Sequence, residues 1–180
     1  MLFNSLDFAI FLPIVFLLYW FVAQKNLKLQ NALIVLASYV FYGWWDWRFL
    51  SLIIFSTVVD YFVGQKLRSE EKQSKRKVLL WTSIIVNLGF LGFFKYYNFI
   101  GENLGLLFSN STDGNSFNPL DILLPVGISF YTFQALSYTM DIYRGNLKAE
   151  HHFGRYALFV SFFPQLVAGP IERSTNLLPQ

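Results

Sequence analysis

The chain has 180 residues, of which 54% are hydrophobic, 20% aromatic and only 14% charged. A soluble domain averages about 25% charged residues, so the composition argues against a water-soluble globule and for a membrane protein. The net charge of +3 says little by itself, but the absence of cysteine excludes disulfides, thiol catalysis and cysteine metal sites.

In chain order, Phe8 to Ala23 (FAIFLPIVFLLYWFVA) is an apolar run near the short end of a spanning helix. A cleaved signal peptide is the competing reading. It is disfavoured by Asp7, by the lack of Lys or Arg before the run, and by the lack of a small-residue cleavage site after it. Lys25 and Lys28 follow in a polar turn. Asn31 to Trp45 predicts a second span, with Trp44, Trp45 and Trp47 as an interfacial belt. Phe49 to Gly64 predicts a third, entered through a tight Trp-Asp-Trp-Arg turn. Gln65 to Lys77 carries six basic residues and two glutamates and reads as a water-exposed loop. A short basic loop between apolar spans is a topology signal before it is a nucleic-acid patch, so no nucleic-acid partner is expected.

Val78 to Ile100 predicts the fourth span. Gly101 to Asp121 reads as a polar loop without Lys or Arg; its Asn110-Ser111-Thr112 sequon is weak evidence. Leu124 to Gly145 predicts the fifth span, and it carries polar groups that a lipid anchor does not need: Ser129, Thr132, Gln134, Ser137, Tyr138, Thr139, Asp141 and Arg144. An unpaired polar group in hydrocarbon costs several kcal/mol, so these must face protein, water or a pathway. After a basic turn from Arg144 to Arg155, the sixth segment, Phe159 to Arg173, is interrupted by Pro164 and Pro170. Proline removes a backbone donor and clashes with the preceding turn. The expected fold is therefore all-α and polytopic, with about six membrane segments of which the last two are broken or kinked. Residues 1–180 form one membrane-embedded helical unit. Basic loops alternate with neutral or acidic ones, which puts the N-terminus outside and the basic loops in the cytoplasm.

Few residues suggest chemistry directly. His151 and His152 are adjacent, so they point about 100° apart on a helix and cannot share a metal by the usual i, i+3 or i, i+4 spacing. Asp60 falls within the third span near its cytoplasmic end, which suits either a hydrogen bond to a neighbouring helix or a functional role. Lys95 suits a snorkelling stem. Asp141 and Arg144, spaced i, i+3, could pair on one face. With Gln165, Glu172 and Arg173 they could line the cytoplasmic entry of a cavity or stitch helices together. No phosphate-binding glycine loop, nucleophile elbow or zinc-protease motif is present.

The ordered blocks SYVFYGWWDWRFL (Ser38 to Leu50), STVVDYFVG (Ser56 to Gly64), FKYYNF (Phe94 to Phe99), LPVGISFYTFQALSYTMDIYRG (Leu124 to Gly145) and FFPQLVAGPIER (ending at Arg173) resemble the N-terminal part of membrane-bound O-acyltransferases. The resemblance is to the alginate O-acetyltransferase-like branch, which is also similar to teichoic-acid D-alanyl transfer proteins. It implies a multi-pass enzyme of the bacterial inner membrane with a tunnel through it. An acyl group, acetyl above D-alanyl, would pass from a cytoplasmic thioester such as acetyl-CoA to hydroxyls of an exported polysaccharide such as alginate. An extracytoplasmic partner acyltransferase subunit is expected, with no bound cofactor and no metal. The candidate tunnel residues are Tyr131, Gln134, Asp141, Arg144, Gln165, Glu172 and Arg173. The family's catalytic histidine, a general base for the acceptor hydroxyl, is expected downstream of Gln180, and neither His151 nor His152 occupies its motif. This stretch alone is therefore expected to be inactive. A transporter or flippase subunit using Asp60, Asp141 and Arg144 is the alternative, and a purely structural membrane subunit is a third reading.

Overall fold

The computed structural model describes residues 4–22, 26–44, 46–108, 127–169 and 174–178, and within these every regular element is helical. Helix α1 (Leu6–Leu17) runs into a π-helical turn (Leu18–Val22) and is followed by α2 (Leu27–Gly43), α3 (Trp47–Ser69) and α4 (Gln73–Phe108). Then come α5 (Ile128–Arg144), α6 (Phe153–Ser161), α7 (Phe163–Ala168) and the single turn α8 (Ser174–Leu177).

Short side chains set the helix starts. Ser5 accepts from the Phe8 N–H, Asn26 from Lys28 and Asp46 from Arg48, each satisfying a donor that the first turn leaves free. Asp46 therefore explains the tight turn between α2 and α3. At the far end of α5, Gly145 takes a φ of 80°, and the Asn146 N–H turns back to the Asp141 carbonyl at 2.9 Å. Such a left-handed C-terminal residue favours glycine.

Two elements differ from the expected outline. Helix α4 does not stop at Ile100 but continues to Phe108, so the first part of the expected polar loop is helical. Leu104, Leu106, Leu107 and Phe108 recur closely enough to favour continued helix over the two glycines at 101 and 105. The fifth segment is not broken: α5 is continuous from Ile128 to Arg144. Its proline, Pro125, precedes the helix, and its polar side chains do not interrupt the backbone ladder. Among the described residues the last segment is broken at Phe162, between α6 and α7.

Helices α3 and α5 lie at the centre, packing on each other, on α4 and on α6, while α2 packs on α3, α6 and α7. Helix α1 lies outside with no buried residue; Phe8 and Phe11 reach Phe41 and Phe163 edge-on or tilted, with ring centroids 5.6–6.1 Å apart. Beside an apolar core, the bundle buries polar side chains and turns large apolar ones outward. On α4 the exposed stripe is Val78, Trp81, Ile85 and Leu88, whereas Ser83 and Asn87 are buried. On α3, Ile54, Phe55 and Phe62 are exposed while Ser56, Thr57 and Asp60 are buried. Water would drive the reverse arrangement; hydrocarbon outside the bundle drives this one. Trp47–Ser69 and Gln73–Tyr97 are long and apolar enough to cross a membrane, with mean hydropathies of 1.4 and 1.7.

Candidate functional site

The break between α6 and α7 is where α5 meets the last segment. Pro164 has no N–H, so the helix cannot continue through it, and the backbone turns at Phe162. In an unbroken helix the Phe163 N–H would donate to the Phe159 carbonyl. Here both groups bond elsewhere. The Gln134 Nε2 of α5 donates to the Phe159 carbonyl at 2.7 Å, and the Phe163 N–H donates to Ser38 Oγ of α2 at 3.3 Å. Side chains from two neighbouring helices thus satisfy two of the backbone groups that the break sets free. Gln134 Nε2 also lies 3.4 Å from Gln165 Oε1 on α7. Both amides are buried, with 3% and 8% of their surfaces exposed, whereas Phe133 beside them is 47% exposed. The polar face of α5 therefore looks inward.

Tyr131 and Thr132 lie one turn toward the N-terminus of α5. Their hydroxyls, and those of Tyr39 and Tyr156, are buried without a hydrogen-bond partner among the described residues. The α5 entry is tight here: Gly127 has a φ of 76°, and a Cβ on it would stand 2.8 Å from the Leu166 carbonyl oxygen.

A second polar group of side chains joins α3, α4 and α5. Asp60 is fully buried, with Oδ1 2.5 Å from Ser83 Oγ and Oδ2 accepting from Asn87 Nδ2 at 2.7 Å. Ser56 Oγ donates to Asn87 Oδ1 at 2.7 Å, and Ser83 Oγ lies 3.3 Å from Thr139 Oγ1. Asp60 is nine residues before Ser69, about 13 Å from the helix end at 1.5 Å per residue.

The basic loops on either side of this bundle gather at one end. Arg76 Nη1 donates to the Leu67 carbonyl at 2.6 Å, and its Nη2 donates to the Tyr143 carbonyl at 2.9 Å. One guanidinium therefore caps the C-terminal turns of both α3 and α5, with its carbon 5.6 Å from the Tyr143 ring centre. The Gln65 side chain and the Tyr61 hydroxyl donate to the Glu150 and His151 carbonyls, and Arg68 contacts the His151 ring. The Lys72 N–H donating to Glu70, with the Lys75 ammonium 3.5 Å away, holds the Glu70 carboxyl below its usual range.

Of the candidate residues, the structure brings together Tyr131, Gln134 and Gln165 around the break. Asp141 sits two turns further along α5, where it accepts from Ser174 Oγ at 3.2 Å. Arg144 is exposed and does not pair with Asp141; the ion pairs among the described residues are Arg48–Asp46 and Lys75–Glu70. Glu172 and Arg173 lie outside the described residues, as do Pro170 and Trp45. His151 and His152 are exposed, and no group of three metal-ligating side chains gathers among the described residues. Sequence reasoning missed Ser38, Ser83, Asn87 and Arg76. Ser83 and Asn87 carried a readable signal, since they are spaced i, i+4 inside an otherwise apolar span.

The chain is 39% identical over 184 residues to the probable alginate O-acetylase AlgI of Pseudomonas aeruginosa, covering all of this chain and 34% of that protein. It is 40% identical to the protein of the same name from Pseudomonas syringae pv. tomato, again over the whole chain and 34% of the relative. A peptidoglycan O-acetyltransferase of Helicobacter pylori is 35% identical over 207 residues, with 100% of this chain and 38% of that protein covered. The chain thus spans about a third of the length of the curated relatives it matches. No family model matches it, and neither does any solved structure. From end to end, the sequence matches the alginate O-acetylase-like branch of the membrane-bound O-acyltransferases, a family of O-acyltransferase enzymes.

Proposed function

We propose that this chain is the N-terminal part of a multi-pass inner-membrane O-acetyltransferase. The complete enzyme passes an acetyl group from a cytoplasmic thioester, acetyl-CoA or a related donor, to hydroxyls of an exported polysaccharide such as alginate. The observation that carries this reading is whole-length similarity to relatives named for O-acetyl transfer to alginate or peptidoglycan. Those names favour acyl transfer over the transporter reading.

The geometry supports a division of roles. About six segments cross the bilayer with the N-terminus outside. The clustering of the 65–77 and 144–155 loops at one end of the bundle supports a shared cytoplasmic face for them. Asp141 and Arg144 belong to that mouth. Tyr131, Gln134 and Gln165 line the passage further in, where irregular backbone is tolerated because it is packed in protein or borders a cavity. In the reaction the acceptor hydroxyl oxygen forms the new ester bond, the carbon–sulfur bond of the donor breaks, and the thiol leaves. The hydroxyl proton goes to a general base, which we place outside this stretch, because His151 sits exposed against Arg68. An extracytoplasmic acyltransferase subunit would complete delivery to the polymer.

The test is reconstitution of the full-length protein with radiolabelled acetyl donor and the candidate polymers. Label on polymer hydroxyls, removable by mild alkali, is the expected result. A folded protein that leaves every polymer unlabelled, with its extracytoplasmic partner present, refutes the proposal.

A further inference from the structure

Asp60 poses a problem that its neighbours resolve. It is fully buried in α3, and no ion pair among the described residues includes it. Its immediate partners are neutral: Ser56 on its own helix, Ser83 and Asn87 from α4, and Thr139 next to Ser83 from α5. On the helices packed against α3, the phenols of Tyr138 on α5 and Tyr156 on α6 face its charge. An uncompensated carboxylate at this depth carries a desolvation penalty of several kcal/mol.

We propose that Asp60 is a buried proton-binding site, carried as the neutral carboxylic acid, whose proton links α3 through Ser83 to Thr139 of α5. The hydrogen inventory supplies the argument. Asn87 uses both amide hydrogens, on Asp60 Oδ2 at 2.7 Å and on the Ser83 carbonyl at 3.0 Å. Ser56 gives its single hydrogen to Asn87 Oδ1. If Asp60 were ionised, Ser83 would give its one hydrogen to Asp60 Oδ1. Thr139 would then have one hydrogen for two oxygens, Ser83 Oγ at 3.3 Å and the Ala135 carbonyl at 3.2 Å. Turned to Ser83, Thr139 would leave the Ala135 carbonyl with its helical N–H partner alone; turned to Ala135, it would leave the Ser83 and Thr139 oxygens facing each other at 3.3 Å with no hydrogen between them. A proton on Asp60 Oδ1 lets all three contacts be filled at once. Asp60 donates to Ser83 Oγ, Ser83 donates to Thr139 Oγ1, and Thr139 donates to the Ala135 carbonyl. The chain of donors then runs from α3 across α4 to the backbone of α5. Only the long 3.4 Å separation between Ser56 Oγ and Asp60 Oδ2 stays unfilled in either state. This inference rests on the helix junction and stands apart from the acyl-transfer reading.

The experiment is difference infrared spectroscopy of the full chain in lipid nanodiscs at neutral pH, wild type minus Asp60→Asn. It is paired with thermal unfolding of Asp60→Asn and Asp60→Ala. The expected spectrum holds the carbonyl stretch of a protonated carboxylic acid, lost in D60N. An amide can donate to Ser83 and accept from Asn87 as the acid does, so D60N is expected to melt close to wild type and well above D60A. Carbon-13 aspartate in the wild type reports the same band without any variant. A wild type with only carboxylate stretches, or a D60N that melts as low as D60A, overturns the proposal.

Discussion

Gln134→Leu tests the account of the broken helix. Leucine keeps most of the buried volume but removes the donor, leaving the Phe159 carbonyl unpaired inside the bundle. An orphaned buried backbone group costs about 1–3 kcal/mol. At about 2–4 °C per kcal/mol for a chain of this size, the melting temperature falls by about 2–12 °C. Ser38→Ala strands the complementary donor, the Phe163 N–H, and is expected to cost a similar amount. The double variant is the sharper measurement. Pro164 still keeps the helix from closing over the break, so the Phe159 carbonyl and the Phe163 N–H both stay unpaired and the two losses are expected to add. Thermal unfolding in detergent, followed by circular dichroism, reads all four proteins. A Gln134→Leu protein that melts with wild type, or a double variant that melts no lower than either single one, would refute the reasoning.

Arg76→Lys keeps the charge but loses the fork that reaches α3 and α5 together. It is expected to lower stability by about 1–3 kcal/mol and to speed proteolysis within residues 65–77. Gly127→Ala adds a left-handed cost of roughly 1–2 kcal/mol to a clash with the Leu166 carbonyl, whereas Gly145→Ala meets nothing within 4 Å. Paired melts should therefore show the larger drop at 127. Arg68→Ala releases the His151 ring, and hydrogen exchange is expected to quicken in residues 146–152 while α5 stays protected.

Much of this arrangement was legible in the residues. Hydropathy located the helices, and polar groups within Leu124 to Gly145 had to face inward because hydrocarbon offers them no partners. Pro164 announced the break because a missing N–H is a local fact. What the residues could not announce was the identity of the partner. Ser38 and Phe163 are 125 positions apart, and periodicity assigns a side chain to a face without saying which helix covers it. The partners of Asp60 were equally hidden, since Ser83 and Asn87 come from the next helix. Arg76 read as one cation in a basic loop, since its role depends on two helix ends meeting there. The continuity of α5 was missed because polarity was taken for irregularity; its side chains bond outward and leave the backbone ladder intact.

The most direct measurement of the central claim, that the polar face of α5 and α7 borders a passage and not lipid, is cysteine accessibility in the full-length protein. The stretch described here contributes no cysteine of its own. Single cysteines replace Gln134, Gln165 and, as the outward control, Phe133, and each is reacted with a small membrane-impermeant thiol reagent in inverted vesicles. Labelling at 134 and 165, slowed by the acyl donor, with none at 133, is the predicted result. Reaction at 133 alone, or silence at both glutamine positions in a folded protein, would contradict it.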